Sequence, residues 1–405
     1  MYKEFSKKTL VCFTSSYPYG VKETYFEIEL QILSKAFKQI IIIPAYNPYS
    51  TNQRQVPNNV KVYPPLLRQG VFRILDFFCY LKISKGLINE FFKKNVYRNS
   101  SSVKQWVLAM LSYGTNYKKF EEFNFNKDEV ILYSYWAGKL FFIENSLKSF
   151  LKVIRMHGAD FYEERSGGYL PLREMLYNSA DLLLPISKDI KGRLEAIYNV
   201  PRGNIKLSYL GVLNSSKYSS VKIESKCLNI ISCSNVYSLK RIHLIYEILK
   251  FISEDITINW THIGSGELLK SLKEKVKSDY RSNISVSFLG NKSQLEIQKI
   301  YSDNYFDLFI NTSRFEGLPV SIMEAYSYGI PAIATDVGGT NEIVNLRNGM
   351  LIAKNFNVSE IAKLIETSFL NNDLLNKRVL AFETWEKHFN AEINYTNLIK
   401  ELLAL

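Results

Sequence analysis

The chain has 405 residues, 46% of them hydrophobic and 22% charged, and a formal net charge of +12. That length exceeds one ordinary core and that composition excludes a disordered chain, so two globular domains are expected. The positive balance points to an anionic partner, with nucleic acid, an anionic membrane surface and phosphorylated small molecules all fitting its sign.

Four cysteines, Cys12, Cys79, Cys227 and Cys233, are scattered without a CxxC pair. This is neither a disulfide scaffold nor a zinc site, and it suits a reducing cytosol. Cys227 and Cys233 lie in or beside an apolar run and read as small core residues. The N-terminal lysines are followed by only a short apolar stretch, which reads as a first buried strand rather than a signal peptide. No uncharged apolar run reaches the length of a membrane-spanning helix.

In chain order, "TLVCFTS" (9–15) reads as a strand, "ETYFEIELQILSKAF" (23–37) as an amphipathic helix and "QIIIIPAY" (39–46) as a second buried strand. Two apolar strands joined through a helix imply a βαβ unit and a parallel sheet. The rhythm resumes with strands at 130–136, 152–158, 180–187 and 204–212. A Ser- and Lys-rich stretch over 214–226 reads as a linker. A second βα series follows, with strands at 227–235, 257–266, 284–290, 308–313, 331–336 and 349–353, and a long terminal helix over 386–405. The expectation is two doubly wound α/β domains. Residues 1–213 with the terminal helix form the first, and residues 227–385 form the second. Ligands of such sheets bind beyond the carboxyl ends of the strands, so the cleft between two facing sheets is the expected site.

Segment 66–98, "LLRQGVFRILDFFCYLKISKGLINEFFKKNVYR", breaks the βα rhythm. Aromatic and aliphatic residues mix there with Arg68, Arg73, Lys82, Lys85, Lys93 and Lys94. It reads either as a basic amphipathic helix pair on a membrane surface or as helices packed on the sheet with lysines facing water.

The stretch "SRFEGLPVSIMEAYSYGIPAIATDVGG" (313–339) carries the clearest chemistry. Glu316 falls in a loop between a strand and a helix. Gly317 lets the backbone approach a ligand, and Pro319 suits the first helical turn. The free N–H groups around Leu318, Val320 and Ser321 then form an anion site at a helix start. Glu324 falls among Ile322, Met323, Ala325 and Tyr326, where a carboxylate requires a partner; a ribose diol is one. "TDVGGTNEIV" (335–344) and "HIGSGE" (262–267), with Gly264, repeat the strand–glycine–helix arrangement. Single GxG turns are weak signals, but three in one domain suggest a nucleotide-phosphate cradle.

The Glu-x7-Glu pattern of "EGLPVSIMEA", followed by "GIPAIATDVGGTNEIV" and "NGMLI", resembles the retaining GT-B glycosyltransferases of family 4. "FLGNKSQLEIQKIYSDNYFDLFINTS", with Gly290 and Asn291, matches that family's lead-in. "RMHGADFYEE", "PISKDIKGRL" and "LSYLGV" resemble its colanic-acid, capsule and exopolysaccharide members. The resemblance implies the GT-B fold, two Rossmann-like domains facing across a cleft, with a C-terminal helix returning to the first. It implies that Glu316 meets the donor sugar, that Glu324 meets the nucleotide ribose, and that amides from Gly317 to Val320 serve sugar and phosphates. Lys240 matches the family's diphosphate lysine, whereas Asn235 stands where an arginine is usual, leaving Arg241 or another cation to replace it. His157 matches the histidine beside the donor sugar. Tyr19 and Gly20 fall in the loop that nears phosphates and acceptor.

The resulting expectation is a cytoplasmic transferase at the inner face of the plasma membrane. It moves a hexose from a UDP- or GDP-linked donor to a lipid-linked or oligosaccharide acceptor in surface-polysaccharide synthesis, with no nucleic acid involved. No Asp-x-Asp occurs in the chain, so no metal or other cofactor is expected. No carboxylate pair offers a glycosidase-type nucleophile, which favours a front-face route with retention. A transferase with a soluble acceptor, and an inactive relative that only binds nucleotide or glycan, are the competing classes.

Overall fold

The computed structural model describes residues 7–20, 23–47, 53–139, 150–198, 200–214 and 227–405. The expected linker falls almost wholly outside them. The chain divides into two compact units: residues 1–209 with 395–405, and residues 210–394.

Unit 1 contains, in order, β1 (Thr9–Thr14), α1 (Thr24–Leu33), β2 (Ile40–Pro44), β3 (Val60–Val62), α2 (Gly70–Cys79), α3 (Lys85–Lys93), α4 (Ser100–Glu122), β4 (Val130–Ser134), β5 (Leu151–Met156), α5 (Gly158–Phe161), α6 (Arg173–Asn178), β6 (Leu182–Pro185) and α7 (Lys188–Ile197). The strands form one parallel sheet in the order β3-β2-β1-β4-β5-β6. β1 and β2 are buried almost throughout, as apolar strands covered on both faces must be. The helices of segment 66–98 do form, and they pack beside α4.

Unit 2 contains β7 (Cys227–Cys233), α8 (His243–Leu249), β8 (Thr257–Ile263), α9 (Leu269–Ser278), β9 (Ile284–Phe288), α10 (Gln294–Asp303), β10 (Leu308–Asn311), α11 (Val320–Ser327), β11 (Ala332–Thr335), β12 (Gly349–Ile352), α12 (Val358–Leu370) and α13 (Asp373–His388). A last helix, α14, spans Ala391–Leu403 and falls mostly in unit 1. The sheet order is β12-β11-β10-β7-β8-β9, again parallel. Its core packs Ile230, Ile258, Trp260 and Ile310 from the strands against Ile245, Leu249, Ile361 and Ile365 from α8 and α12.

Four local expectations change. Residues 204–212 do not form a strand; only Ile205 and Val212 make isolated pairings, with Leu183 and Asn390. The amides of Lys206 and Ser208 reach the Leu183 and Pro185 carbonyls at 2.9 Å, but the Ser208 carbonyl is taken by Arg155 Nη1 at 3.1 Å. The terminal helix is broken at Phe389 and Asn390, because the chain there pairs with Val212. Gly211 permits that crossing, since a Cβ on it would lie 2.3 Å from Ala391 Cα. Pro319 caps α11 rather than sitting in its first turn. Cys227 and Cys233 are only half-buried; Cys12 is the buried cysteine.

Candidate functional site

In unit 2, β10 ends in the loop that holds Glu316, and α11 starts four residues later. The polar exit of an otherwise apolar strand organises this loop. Asn311 Oδ1 accepts from Ser313 N at 2.9 Å while its Nδ2 donates to Glu316 Oε1 at 3.2 Å. Thr335 Oγ1 donates to the Ser313 carbonyl at 2.5 Å, tying the loop to β11. From the other side, Lys240 Nζ donates to Glu316 Oε1 at 2.6 Å. Glu316 is therefore nearly buried, yet its contacts are one lysine and one amide side chain. The amides of Leu318, Val320 and Ser321 make no hydrogen bond among the described residues. Free N–H groups at a helix start beside a lysine form an anion-binding edge.

Gly338 explains how two loops approach one another here. Its φ is +55°, and a Cβ on it would lie 1.9 Å from the Glu316 carbonyl oxygen. Gly339 N then donates to the Gly317 carbonyl at 2.8 Å. Gly264 is similarly constrained, with φ +137° and a Cβ position 1.9 Å from the Ser234 carbonyl oxygen. Its amide donates to the Gly290 carbonyl at 2.9 Å.

Glu324 lies inside α11, buried, and its carboxylate accepts one hydrogen bond among the described residues, from Gln294 Nε2 at 2.8 Å. Burial without a cation pushes its carboxyl up to about 7, with the Gln294 bond partly opposing the rise. This carboxylate is under-satisfied and ready for a hydroxyl donor. Asn235 and Asn291 are exposed on the loops after β7 and β9.

Arg241 has a different occupation from the one expected. Its Nε donates to the Thr312 carbonyl at 2.7 Å, Nη1 to the Lys354 carbonyl at 2.8 Å and Nη2 to the Ser313 carbonyl at 3.3 Å. The guanidinium is buried and braces the Glu316 loop, so it is not a cation available to replace the one missing at Asn235. Arg314, exposed and with its amide on the Leu239 carbonyl at 2.8 Å, brings a charge to this edge that the spacing of the motif did not single out.

In unit 1, His157 follows β5 directly and is buried. Its Nε2 lies 3.0 Å from the Tyr135 carbonyl, which requires the proton on Nε2 and leaves Nδ1 as an acceptor. Its ring packs on Tyr135 and Trp136, with centroids at 4.7 and 4.5 Å. Burial, and then the Arg155 charge, push its pKa down to about 3, so the imidazole is neutral. The Asp160 carboxylate accepts from His157 N at 2.7 Å and from Ala137 N at 2.6 Å.

Two residues behind His157, Arg155 sits wholly buried beside Glu29, at 3.4 Å. Arg155 Nε donates to Tyr133 Oη at 2.7 Å, and Tyr133 in turn donates to Glu29. The Tyr19–Gly20 loop has a related anchor: Glu23 accepts from Ser15 N, Ser16 N and Tyr17 N at 2.8, 2.7 and 2.7 Å, and from Trp136 Nε1 at 2.6 Å. Glu23 has φ +60° at the N-cap of α1, a left-handed conformation held by these four bonds. Glu23, Gln294, Asn311 and Asp160 were not picked out by motif reading. The signal for Gln294 and Asn311 was slight: one polar residue opening a helix and one ending an apolar strand.

Residues 218–380 match the family model "Glycosyl transferases group 1". The chain is 30% identical over 261 residues to a protein of Escherichia coli (strain K12) named "Putative colanic acid biosynthesis glycosyltransferase WcaL", covering 62% of this chain and 63% of that one. It thus spans less than two thirds of that relative's length. Among solved structures, the lipopolysaccharide outer core galactosyltransferase WaaB superposes with a TM-score of 0.68 at 14% identity, covering 98% of this chain and 99% of its own. Anabaena HepE in complex with UDP and glucose gives 0.66 at 14% identity, with 98% and 100% covered. The two Rossmann-like units are those of the GT-B fold, and residues 218–380 resemble a glycosyl transferases group 1 domain.

Proposed function

We propose that the protein is a retaining glycosyltransferase of surface-polysaccharide synthesis, moving a hexose from a nucleotide diphosphate sugar to a lipid-linked glycan at an anionic membrane surface. The observation that carries this reading is the Lys240–Glu316 pair at 2.6 Å, beside unoccupied amides at the start of α11. The name of its colanic acid biosynthesis relative supports the setting in polysaccharide synthesis. The UDP and glucose in HepE support the class of donor.

In this reading, donor entry redistributes the existing bonds. Sugar hydroxyls donate to Glu316, freeing the Lys240 ammonium to meet the diphosphate together with the amides of Leu318, Val320 and Ser321. The ribose hydroxyls donate to Glu324. Charge that develops on the leaving diphosphate faces one lysine, the helix start and the exposed Arg314, since Arg241 is held by carbonyls. The anomeric carbon–phosphate oxygen bond breaks as the acceptor oxygen bonds to the same face, and the acceptor proton passes to the departing phosphate oxygen. His157 is neutral and carries no positive charge of its own.

A panel of UDP-hexoses and GDP-mannose, scored by thermal shift and then by donor hydrolysis, tests the proposal. One donor should stabilise the protein and turn over, and Glu316→Gln should lower turnover by about 10²–10³-fold. A protein stabilised by no donor, or a Glu316→Gln variant with undiminished turnover, overturns it.

A further inference from the structure

Most helices of this protein bury their apolar face, but α2 does the reverse. Its inward face holds Asp76, 2% exposed, together with Arg73 and Phe77. Its outward face presents Val71, Phe72, Ile74, Leu75 and Phe78, with Phe72 60% and Phe78 74% exposed. The turn after it exposes Leu81 and Ile83, and α3, which buries Leu87, also buries Glu90 and exposes Phe92. The buried acids are satisfied internally. Asp76 accepts from Arg68 Nε at 2.8 Å, and Glu90 accepts from Tyr169 Oη at 2.7 Å and Leu172 N at 2.8 Å. A continuous run of outward aromatic and aliphatic side chains has no folding benefit in water and marks an interaction surface.

The charges around this face identify the occupant. Asp76 and Glu90 are the only acids between residues 66 and 98, and both are turned inward. The exposed ionic groups of the segment, Arg68, Lys82, Lys85, Lys93 and Arg98, are all cations. We propose that the outward face of α2 and the α2–α3 turn insert into the interfacial region of an anionic lipid bilayer, with the surrounding cations against its headgroups. Apolar side chains enter the headgroup–acyl boundary, while lysine and arginine stems reach phosphate level. A soluble protein partner would have to offer both a large apolar face and an acidic rim, whereas an anionic bilayer has both by its nature. The proposal deepens the lipid-linked acceptor reading and rests on it for the partner's relevance. The surface itself is argued without reference to transfer chemistry.

The test is flotation of the full chain with phosphatidylcholine vesicles, with and without phosphatidylglycerol, at low and high salt. Wild-type protein should float with the anionic vesicles and less well at high salt. Phe72→Ser/Phe78→Ser should weaken binding about tenfold or more, and Lys85→Gln/Lys93→Gln should weaken it several-fold. In Phe78→Trp, indole emission should shift to the blue on vesicles and be quenched by brominated acyl chains. Because these side chains face outward, thermal unfolding and donor hydrolysis should be unchanged in the Phe72→Ser/Phe78→Ser variant, which separates lost docking from lost folding. Absence of flotation at low salt overturns the proposal, as does a double serine variant that binds like wild type. So does a vesicle-free dimer in sedimentation velocity that the same variant dissolves, because a second copy would then be the occupant. Donor turnover that is lost in Glu316→Gln and intact in Phe72→Ser/Phe78→Ser leaves the transferase reading standing whichever way the vesicles decide.

Discussion

Two strand ends of this protein gather buried ionisable groups, and they are built on opposite principles. Behind β5 in unit 1, Glu29, Tyr133 and Arg155 are partnered to one another within the core, Glu29 Oε2 through the ion pair alone, and His157 is held neutral by the same burial. Beyond β10 in unit 2, Glu316 leans on a partly exposed lysine, and Glu324 on a single carboxamide, beside amides with no partner. A network closed on its own charges serves shape, because each charge is paired within the fold. An incomplete one has capacity left for a ligand, and its under-satisfied carboxylates are held in place by bracing such as Arg241 rather than neutralised by it.

That contrast can be broken in a graded way. The largest effect is expected in the closed network. Arg155→Met leaves Glu29 buried without its cation and should cost about 3–5 kcal/mol in urea unfolding. A loss below 1 kcal/mol, roughly that of an exposed pair, would show that the network is not closed. Next comes Glu316→Gln, which keeps the shape of the loop but removes the charge. It should lower donor turnover by about 10²–10³-fold, in the range of other transition-state contacts, with little change in melting temperature. A variant that melts early yet turns over normally would place Glu316 with the structural groups.

Gly338→Ala should cost about 1–3 kcal/mol in stability, since a Cβ at φ +55° meets the Glu316 carbonyl, and donor affinity should fall with it. Calorimetry of the variant with and without donor separates the two effects.

The smallest effect is a pH dependence. The Glu324 carboxyl titrates at about 7 in the fold and near its ordinary value when unfolded. Between those values the native state holds more protons than the unfolded one, so this group's contribution to stability falls as pH rises from about 4.5 to about 7. Donor binding runs the other way, because ribose hydroxyls need the ionised carboxylate. KM for the donor should therefore rise as pH is lowered from 8 to 6, and Glu324→Gln should flatten that profile. Parallel profiles in wild type and variant would remove Glu324 from the ribose.

The legible parts of this protein were those set by local pattern. Buried strands such as "LVCF" and "IIII" announced parallel sheets because both faces of such strands are covered, and all but one of the expected strands formed. The failed strand, 204–212, is apolar enough to mislead; the amides of Lys206 and Ser208 do reach β6 carbonyls, but the Ser208 carbonyl goes to the Arg155 guanidinium, which no local pattern reports. The terminal helix read as continuous because nothing in "EKHFNAEINY" reports the pairing of Asn390 with a residue far back in the chain, Val212.

The site divides along the same line. The Glu-x7-Glu spacing, the glycines and Lys240 stand in the sequence itself, since a strand–loop–helix turn has few ways to present a carboxylate and free amides together. Tertiary structure alone turned Arg241 inward onto three carbonyls, gave Glu324 its lone bond from Gln294, and faced the apolar side of α2 outward while hiding Asp76. A sequence lists which groups a segment carries, but burial and hydrogen-bond partners come from elements distant along the chain. They determine whether a charge is completed within the fold or left for a ligand.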